Sequence, residues 1–493
     1  MTSSPTSTRH SPPPPAAEGL EARVSEELPP PVPALFPARE LRVRLDDLLT
    51  RELAGAGERV ARGSVTPTLD MARFRRELAG FDFHTPCPIE PLLEWTIAQL
   101  EHGVTHMTHP RYFGLFNPAA GFPSQCADRI AGAFNPQLAS SGSSPAPVEI
   151  EAHLIRAIAQ RAGLPAEASG HFTTGGSEAN YTALVCALTR SEPRYSDEGV
   201  RAFAGPLAVY TSCECQPAWF KIVHQAGVGR AALRLIATDG QGRMDARALA
   251  HSVAHDRKQG RVPVLISATA GTTGGGMVDP LASCAQIARE HGLWYHVDAA
   301  WGGAALCSDR LRGLLAGIEL ADSLTIDAHK WFATTMGCGM FITRHPAVLS
   351  EAFRVRADFM PSNAQSLDPY LNTLQWSRRF MGLRLFLALA AAGWQGYAAH
   401  VERAVEVIER VKARLLAHGW SVANDSRLAV LCAVPPPGHP GVGDIVRCVR
   451  ASGRAWVACA TFEGREVLRV CATHGETSLA DVDELVAALT AAV

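Results

Sequence analysis

The sequence has no apolar segment of the roughly 18 to 20 residues that are needed to cross a bilayer. The N-terminal residues also lack the apolar core that is typical of a secretory signal. The net charge is only −2, from 46 basic and 48 acidic residues, so the chain has no basic field for nucleic acid. These absences predict a cytoplasmic protein that binds neither nucleic acid nor a membrane.

The 12 cysteines do not form the closely spaced set that is typical of a disulfide-stapled domain. They are scattered through segments predicted as strands and helices, which favours reduced thiols. The spacing of Cys213 and Cys215 suits a strand end better than a zinc site. Three histidines, at 102, 106 and 109, have no carboxylate or cysteine at matching spacing. We therefore predict no metal site.

With 493 residues, of which 47% are hydrophobic, the chain can bury one large core and one smaller core. Residues 1–35 are rich in Pro, Ser, Thr and Glu, a composition typical of a disordered tail. Residues 36–108 show helical periodicity. We expect a large domain over residues 109–380, and a linking helix with a small α+β domain over residues 381–493.

Short apolar runs alternate with helical patterns through the large domain. This alternation predicts an α/β fold with a mostly parallel sheet that helices cover on both faces. The predicted strands are residues 207–211, 262–268, 294–298, 323–326 and 339–343. Such sheets bind ligands at the carboxyl ends of their strands. The residues expected at that edge are Gly175, Gln216, Thr273, Asp298 and Lys330.

Two of these residues have complementary chemistry. Lys330 follows a predicted strand and precedes two aromatic residues, so partial desolvation would make its amine nucleophilic toward carbonyls. Taken alone, Lys330 suits an ordinary surface lysine better than a nucleophile. Asp298 ends another predicted strand, and the small residues after it let a flat ring approach the backbone. A carboxylate beside a pyridine nitrogen and an amine at an aldehyde form the pair that pyridoxal phosphate requires.

A glycine-rich turn lies upstream of this pair. Gly175, Gly176 and Ser177 precede apolar residues at helical spacing. A helix that starts in this way presents free N–H groups and a hydroxyl to an anion. Many turns share this pattern. Its position ahead of Asp298 and Lys330 leads us to predict that it binds the phosphate of the cofactor.

Segments 296–303 and 327–331 resemble those of the group II pyridoxal phosphate-dependent amino-acid decarboxylases, which include the aromatic amino-acid, glutamate and cysteine-sulfinate decarboxylases. The likeness extends from about His109 to near the C-terminus. It implies the α/β fold of the aspartate aminotransferase type, known as fold type I. It also implies an amino-acid substrate and a homodimer, across which the N-terminal helical segment packs.

The resemblance implies roles for individual residues. The expected cofactor contacts are Gly175, Gly176, Ser177, Gln216, Thr273, Asp298, Ala300, Asp327, His329 and Lys330. The expected catalytic residues are Lys330, Asp298, Gln216, Phe359 and His329. Phe113, Asn117 and Thr273 are expected to contact the substrate, although the segment of Phe113 equally suits a loop that packs aromatic residues. Phe116, Trp219 and Trp301 suit an apolar pocket or the core equally well.

Two positions depart from the family pattern. Gln216 stands where the family stacks a histidine on the pyridine ring, and an amide cannot change its protonation near neutral pH. Phe359 stands where a mobile loop of the family carries a tyrosine that protonates the α-carbon, with Tyr370 as the alternative alignment. Relatives that carry either change are known as aldehyde synthases.

The resemblance and the two departures together predict the reaction. Decarboxylation of an L-amino acid through a quinonoid would be followed by slow protonation. Dioxygen would then act as a co-substrate, and the products would be an aldehyde, ammonia and peroxide. The alternatives are a simple decarboxylase that releases an amine, an aminotransferase, and a catalytically silent protein that binds pyridoxal phosphate.

Overall fold

A seven-stranded sheet lies at the centre of this computed structural model, which describes residues 30–355 and 368–492. Its strands are β1 (Ser169–Thr173), β2 (Leu207–Ser212), β3 (Leu233–Ile236), β4 (Val262–Thr269), β5 (Trp294–Asp298), β6 (Ser323–Asp327) and β7 (Gly339–Thr343). Their spatial order is β1-β7-β6-β5-β4-β2-β3. The adjacent pairs β3–β2, β2–β4, β4–β5 and β5–β6 are parallel, whereas β7 is antiparallel to β1 and β6.

The mostly parallel α/β architecture predicted from the sequence is confirmed. Each of the five predicted strands coincides with an observed strand to within one residue. The alternation pattern did not predict β3, a strand of four residues whose two central side chains are not buried. In contrast, β2, β5 and β6 are buried along their whole length, as expected for strands covered on both faces.

Helices flank this sheet and make up the N-terminal segment. In chain order they are α1 (Arg39–Ala54), α2 (Ala56–Arg62), α3 (Met71–Ala79), α4 (Ile89–His102), α5 (Phe122–Phe134), α6 (Pro145–Arg161), α7 (Gly176–Ser191), α8 (Tyr195–Glu198), α9 (Ala218–Gln225), α10 (Ala246–Lys258), α11 (Leu281–His291), α12 (Pro346–Phe353), α13 (Gly382–Ala417), α14 (Val442–Ala451) and α15 (Leu479–Ala491). Helix α7 packs on β5, β6 and β7, and its small residues Ala179, Ala183 and Ala187 are fully buried there.

The C-terminal part contains a smaller antiparallel sheet. Its strands are β8 (Ser421–Val422), β9 (Val430–Val434), β10 (Ala458–Phe462) and β11 (Arg465–Cys471), in the order β10-β11-β9-β8. Helix α13 leads to this sheet and is interrupted at Gly393, where φ is 63° and ψ is 176°. A non-glycine residue adopts that conformation only with strain, so glycine at this position lets the chain leave the helix and resume it.

Helix α13 is anchored to the large domain by a buried ion pair. Just before this helix, Arg378 Nη1 lies 2.8 Å from Glu151 Oε2 on α6, and both side chains are almost fully buried. The backbone N–H of Gly382 also donates to Glu151, over 2.9 Å. Loss of either charged partner would leave the other buried without compensation.

No helix within the described ranges is long and apolar enough to span a membrane. The same ranges contain no group of three or more His, Cys, Asp or Glu side chains placed to hold a metal ion. All 12 cysteines lie within the described residues, and none forms a disulfide. Residues 1–29, most of the predicted tail, lie outside the described ranges.

His171 on β1 is a buried polar residue with no hydrogen-bond partner in the described structure for either ring nitrogen. Its ring lies 5.7 Å from that of Phe341 on β7. Burial lowers the pKa of His171 to about 3, so the imidazole is neutral in the native state. Between about pH 6.5 and 3 only the unfolded chain binds this proton. The native state therefore loses stability as the pH falls through that range.

We expect His171→Leu to stabilise the protein by about 1–2 kcal/mol at neutral pH, because an unpaired polar group becomes apolar at similar volume. The advantage should grow by up to about 1.4 kcal/mol per pH unit below pH 6.5. Urea unfolding at neutral and mildly acidic pH measures both effects. His153→Leu, at an exposed position of α6, is the control. Equal acid sensitivity of His171→Leu and the parent protein would contradict this interpretation.

Candidate functional site

A cavity of about 310 Å³ opens at the carboxyl ends of the central strands. Nine residues predicted as site residues line it, namely Gly175, Gly176, Ser177, Gln216, Asp298, Ala300, Asp327, His329 and Lys330. They come from the turn before α7, the turn after β2, and the ends of β5 and β6. The parallel strands bring these sequence-distant residues to one edge of the sheet.

The floor of the cavity includes the N-terminus of α7. No side chain caps this helix, and the N–H groups of Gly176 and Ser177 make no hydrogen bond within the described structure. A Cβ atom at Gly176 would lie 2.9 Å from Asp327 Oδ2 and 3.3 Å from the Cβ of Ala300. Free N–H groups at the positive end of a helix dipole favour an anion such as a phosphate.

Asp298 forms the buried end of the cavity. Its Oδ1 accepts a hydrogen bond from the Ala300 N–H over 3.1 Å, and its Oδ2 accepts one from Asn180 Nδ2 over 2.7 Å. Burial raises the pKa of Asp298, although Lys330 and the two hydrogen bonds oppose that shift. A cation against this carboxylate, such as a protonated ring nitrogen, would stabilise its ionised form.

Lys330 supplies the amine of the cavity. Its Nζ lies 2.9 Å from Oδ2 of Asp327, and the Asp327 side chain is 2% exposed. His329 lies beside this pair, where its Nδ1 accepts the backbone N–H of Cys338 over 3.2 Å. Burial lowers the pKa of His329, so its ring is neutral near pH 7. The ammonium of Lys330 is therefore the only cationic side chain among those that line the cavity.

Gln216 lies in the turn between β2 and α9. Its Oε1 accepts the backbone N–H of Ala218 at the start of α9, which fixes one side of the amide. The side chain lines the cavity and is exposed to solvent. An amide in this place can hydrogen bond but cannot deliver a proton near neutral pH.

Three predicted site residues that the structure describes are not among those that line the cavity. Phe113 is fully buried, and its backbone bonds to Trp456 and Cys471, which favours the packing alternative. The Nδ2 of Asn117 donates to the backbone carbonyl of His329 over 3.2 Å, so Asn117 contacts a residue that lines the cavity. Thr273 lies four residues beyond the end of β4. Substrate contact by these three residues stays a prediction.

Another predicted site residue, Phe359, lies outside the described residues. Tyr370, the alternative alignment for the tyrosine that protonates the α-carbon, is 7% exposed. The centroid of its ring lies 4.9 Å from that of Trp376. Three further aromatic residues that suited either pocket or core, Phe116, Trp219 and Trp301, are buried. They belong to the hydrophobic cores of the described structure.

The sequence interpretation missed three residues that line the cavity, namely Thr174, Glu178 and Asn180. Glu178 accepts hydrogen bonds from the backbone and hydroxyl of Thr174 and from Gln375. Asn180 bonds directly to Asp298. Its spacing of four residues from Gly176 on α7 was the available signal, because such residues lie on one face of a helix.

The donor set fits pyridoxal phosphate. The free N–H groups and hydroxyl at the start of α7 suit the phosphate, the carboxylate of Asp298 suits the ring nitrogen, and the amine of Lys330 suits the aldehyde. No other cavity-lining residue offers a primary amine.

Comparisons with known proteins agree with this fit. The profile described as "Pyridoxal-dependent decarboxylase conserved domain" matches residues 84–432. Tryptophan decarboxylase 2 of Oryza sativa subsp. japonica is 26% identical over 404 residues, 78% of this chain and 80% of that protein. L-2,4-diaminobutyrate decarboxylase of Rhizobium meliloti (strain 1021) is 35% identical over 301 residues, 60% of this chain and 59% of that protein. The match thus spans less than two thirds of the bacterial relative.

The fold is shared with solved structures. That of 4-hydroxyphenylacetaldehyde synthase from Rhodiola rosea superposes with a TM-score of 0.84 and 20% sequence identity. The superposition covers 93% of this chain and 98% of that one. Similarity to solved structures of this kind confirms the expected fold type I architecture.

We expect Gly176→Ala to weaken cofactor binding about tenfold or more, because the added methyl group meets Asp327 and Ala300 where the phosphate is expected. Titration of cofactor-free protein with pyridoxal phosphate measures the change. Gly313→Ala is the matched control, since a Cβ there meets nothing within 4 Å. Equal affinity of both variants would argue against a phosphate site at the start of α7.

Proposed function

Because the chain belongs to the pyridoxal-dependent decarboxylase family, we propose that it decarboxylates an amino acid and, with dioxygen, converts the remainder to an aldehyde. Bound pyridoxal phosphate supplies the electron sink for the bond to the departing carboxylate. Lys330 would hold the cofactor aldehyde, Asp298 would keep the ring nitrogen protonated, and the start of α7 would bind the phosphate.

The observation that carries the oxidative proposal is that neither Gln216 nor His329, two of the described residues that line the cavity, offers a readily transferred proton near neutral pH. Gln216 replaces the stacking histidine of the resembled family, and its amide does not titrate near neutral pH. His329 has a lowered pKa, and its Nδ1 is already engaged by Cys338. Protonation of the α-carbon after carbon dioxide leaves would therefore be slow, which gives dioxygen time to react.

The reaction balances with dioxygen and water as co-reactants. One amino acid, one dioxygen and one water give one aldehyde, one carbon dioxide, one ammonia and one hydrogen peroxide. The electron pair left at the α-carbon reduces dioxygen to peroxide, and water then releases the nitrogen as ammonia. Phe359, in place of a phenol, is the second sequence feature that supports this outcome.

A simple decarboxylase is the second candidate, and one contact favours it. The ammonium of Lys330 lies 2.9 Å from Asp327 and lines the same cavity. If Lys330 returns a proton to the α-carbon, the product is an amine and no dioxygen is consumed. The relatives' names cover tryptophan and diaminobutyrate, so for this chain we propose only that the substrate is an amino acid.

We expect the purified enzyme to form aldehyde and peroxide in equal amounts and to consume one dioxygen per carbon dioxide released. We expect Gln216→His to raise the proportion of amine about tenfold or more, because an imidazole acid can contribute 10²–10⁴-fold to such a step. Oxygen uptake, together with assays of amine and aldehyde in the same reaction, measures the partition.

Gln241→His, in an exposed loop, is the matched control and should not change the partition. If the parent enzyme released amine in equal amount to carbon dioxide, with no oxygen uptake, the oxidative proposal would be wrong and the simple decarboxylase would stand. An unchanged partition in Gln216→His would remove Gln216 as its cause.

We further propose that the active form is a homodimer in which α1 to α4 pack on the partner. None of these four helices, all within the described ranges, has a buried side chain. Val43 and Leu53 on α1 and Leu100 on α4 are each more than half exposed. Isolated helices of this length are marginally stable, so burial against a second subunit would stabilise them.

We expect the parent protein to sediment as a dimer, and the double variant Val43→Lys, Leu53→Lys to sediment as a monomer, because charges would enter an apolar contact. Analytical ultracentrifugation measures both masses. Leu416→Lys, at a similarly exposed position on α13, should stay dimeric. A dimeric double variant would exclude α1 from the interface.

A further inference from the structure

A chain of buried hydrogen bonds runs beneath the cavity and ends at Asp298. The indole Nε1 of Trp294 donates to Ser323 Oγ over 2.8 Å, and Ser323 Oγ lies 2.8 Å from His296 Nδ1. His296 Nε2 lies 2.9 Å from Asn180 Oδ1, and Asn180 Nδ2 donates to Asp298 Oδ2 over 2.7 Å. The five residues come from β5, β6 and α7, and all are buried.

The chemistry of the end groups fixes the direction of this chain. A carboxylate only accepts, so Asn180 must turn its NH₂ group to Asp298 and its oxygen to His296. His296 must then donate from Nε2. The indole of Trp294 only donates, which leaves the Ser323 hydroxyl free to donate to Nδ1 of His296. Every donor thus points toward Asp298, and such aligned bonds polarise one another.

The protonation state of His296 agrees with this direction. Its side chain is fully buried, and burial lowers its pKa to about 3, so the ring is neutral near pH 7. A neutral ring with its proton on Nε2 satisfies both neighbours. Thr325 Oγ1 also donates to Asn180 Oδ1, over 2.6 Å. Two donors therefore hold the Asn180 amide in the orientation that serves Asp298.

We propose that His296 and Asn180 are positioning residues that hold Asp298 ionised and aligned for the ring nitrogen of pyridoxal phosphate, although His296 does not itself line the cavity. The inference depends on the part of the proposed function in which Asp298 faces that nitrogen. Burial alone favours a neutral Asp298, and the Asn180 hydrogen bond opposes this. Without an ionised carboxylate the ring nitrogen would lose its ion-pair partner, and the cofactor would become a poorer electron sink.

An alternative is that the chain of hydrogen bonds only satisfies buried polar groups and stabilises the fold. The positioning role and the purely structural role predict different results for a cofactor analogue that has C–H in place of the ring nitrogen. A purely structural role would weaken the binding of both cofactors equally. A role through Asp298 would weaken only the binding of pyridoxal phosphate, because the analogue has no nitrogen to pair with the carboxylate.

The test measures the dissociation constants of pyridoxal phosphate and of this analogue for the full-length enzyme freed of cofactor. We expect His296→Leu and Asn180→Ala to bind pyridoxal phosphate about tenfold or more weakly, as for loss of a hydrogen bond to a charged group. The analogue should change less than about threefold in both variants. Asn180→Ala keeps the test valid if the loss of His296 prevents folding.

Two further variants sharpen the result. His296→Gln can place an amide donor near the Nε2 position, so it should retain most of the preference for pyridoxal phosphate. His171→Leu removes another buried strand histidine, outside this chain, and should leave the preference unchanged. Equal losses for both cofactors in His296→Leu and Asn180→Ala, or no loss in either, would overturn the proposal. The measurement uses no substrate, so its outcome does not depend on whether the enzyme releases an amine or an aldehyde.

Discussion

The parallel pairing of β5 with β6 is the constraint on which the whole site depends. In this register Asp298, the last residue of β5, lies opposite Thr325, and β6 continues to Asp327, which places Asp298, Asp327 and Lys330 around one cavity. Two buried carboxylates thus lie near one ammonium, which forms an ion pair with Asp327 and acts on Asp298 only as a nearby charge. Such an arrangement is costly unless further cationic or hydrogen-bonding partners are present. In our proposal, the protonated ring nitrogen of the cofactor would be such a partner for Asp298.

The path of the reaction after decarboxylation depends on the proton donors around this cavity. Gln216 is held by the start of α9 and lacks an acidic proton, while the neutral ring of His329 is fixed by the backbone of Cys338. The hydrogen bonds that run from Trp294 to Asp298 would, in our proposal, support the withdrawal of electrons by the cofactor. We therefore propose that the protein combines a well-supported electron sink with slow return of a proton, because Gln216 and His329 are poor proton donors.

Local patterns allowed much of the fold and of the cavity to be predicted. Short apolar runs that alternate with helical patterns predicted the buried strands, because this signal depends on neighbouring residues alone. Asn180 was missed because its role depends on how α7 lies across β5 and β6. Thr273 and Phe113 were placed by resemblance, and their positions depend on turn length and on packing against the C-terminal sheet, which no local pattern encodes.

Identification of the lysine that holds the cofactor tests the central claim most directly. The chain has only four lysines, Lys221, Lys258, Lys330 and Lys412, so borohydride reduction of the holoenzyme followed by peptide mass spectrometry gives a clear answer. We expect the cofactor mass on the peptide that contains Lys330, and no labelled peptide from Lys330→Ala. Labelling of Lys221, Lys258 or Lys412 in the parent enzyme, or unchanged labelling of Lys330→Ala, would contradict the account.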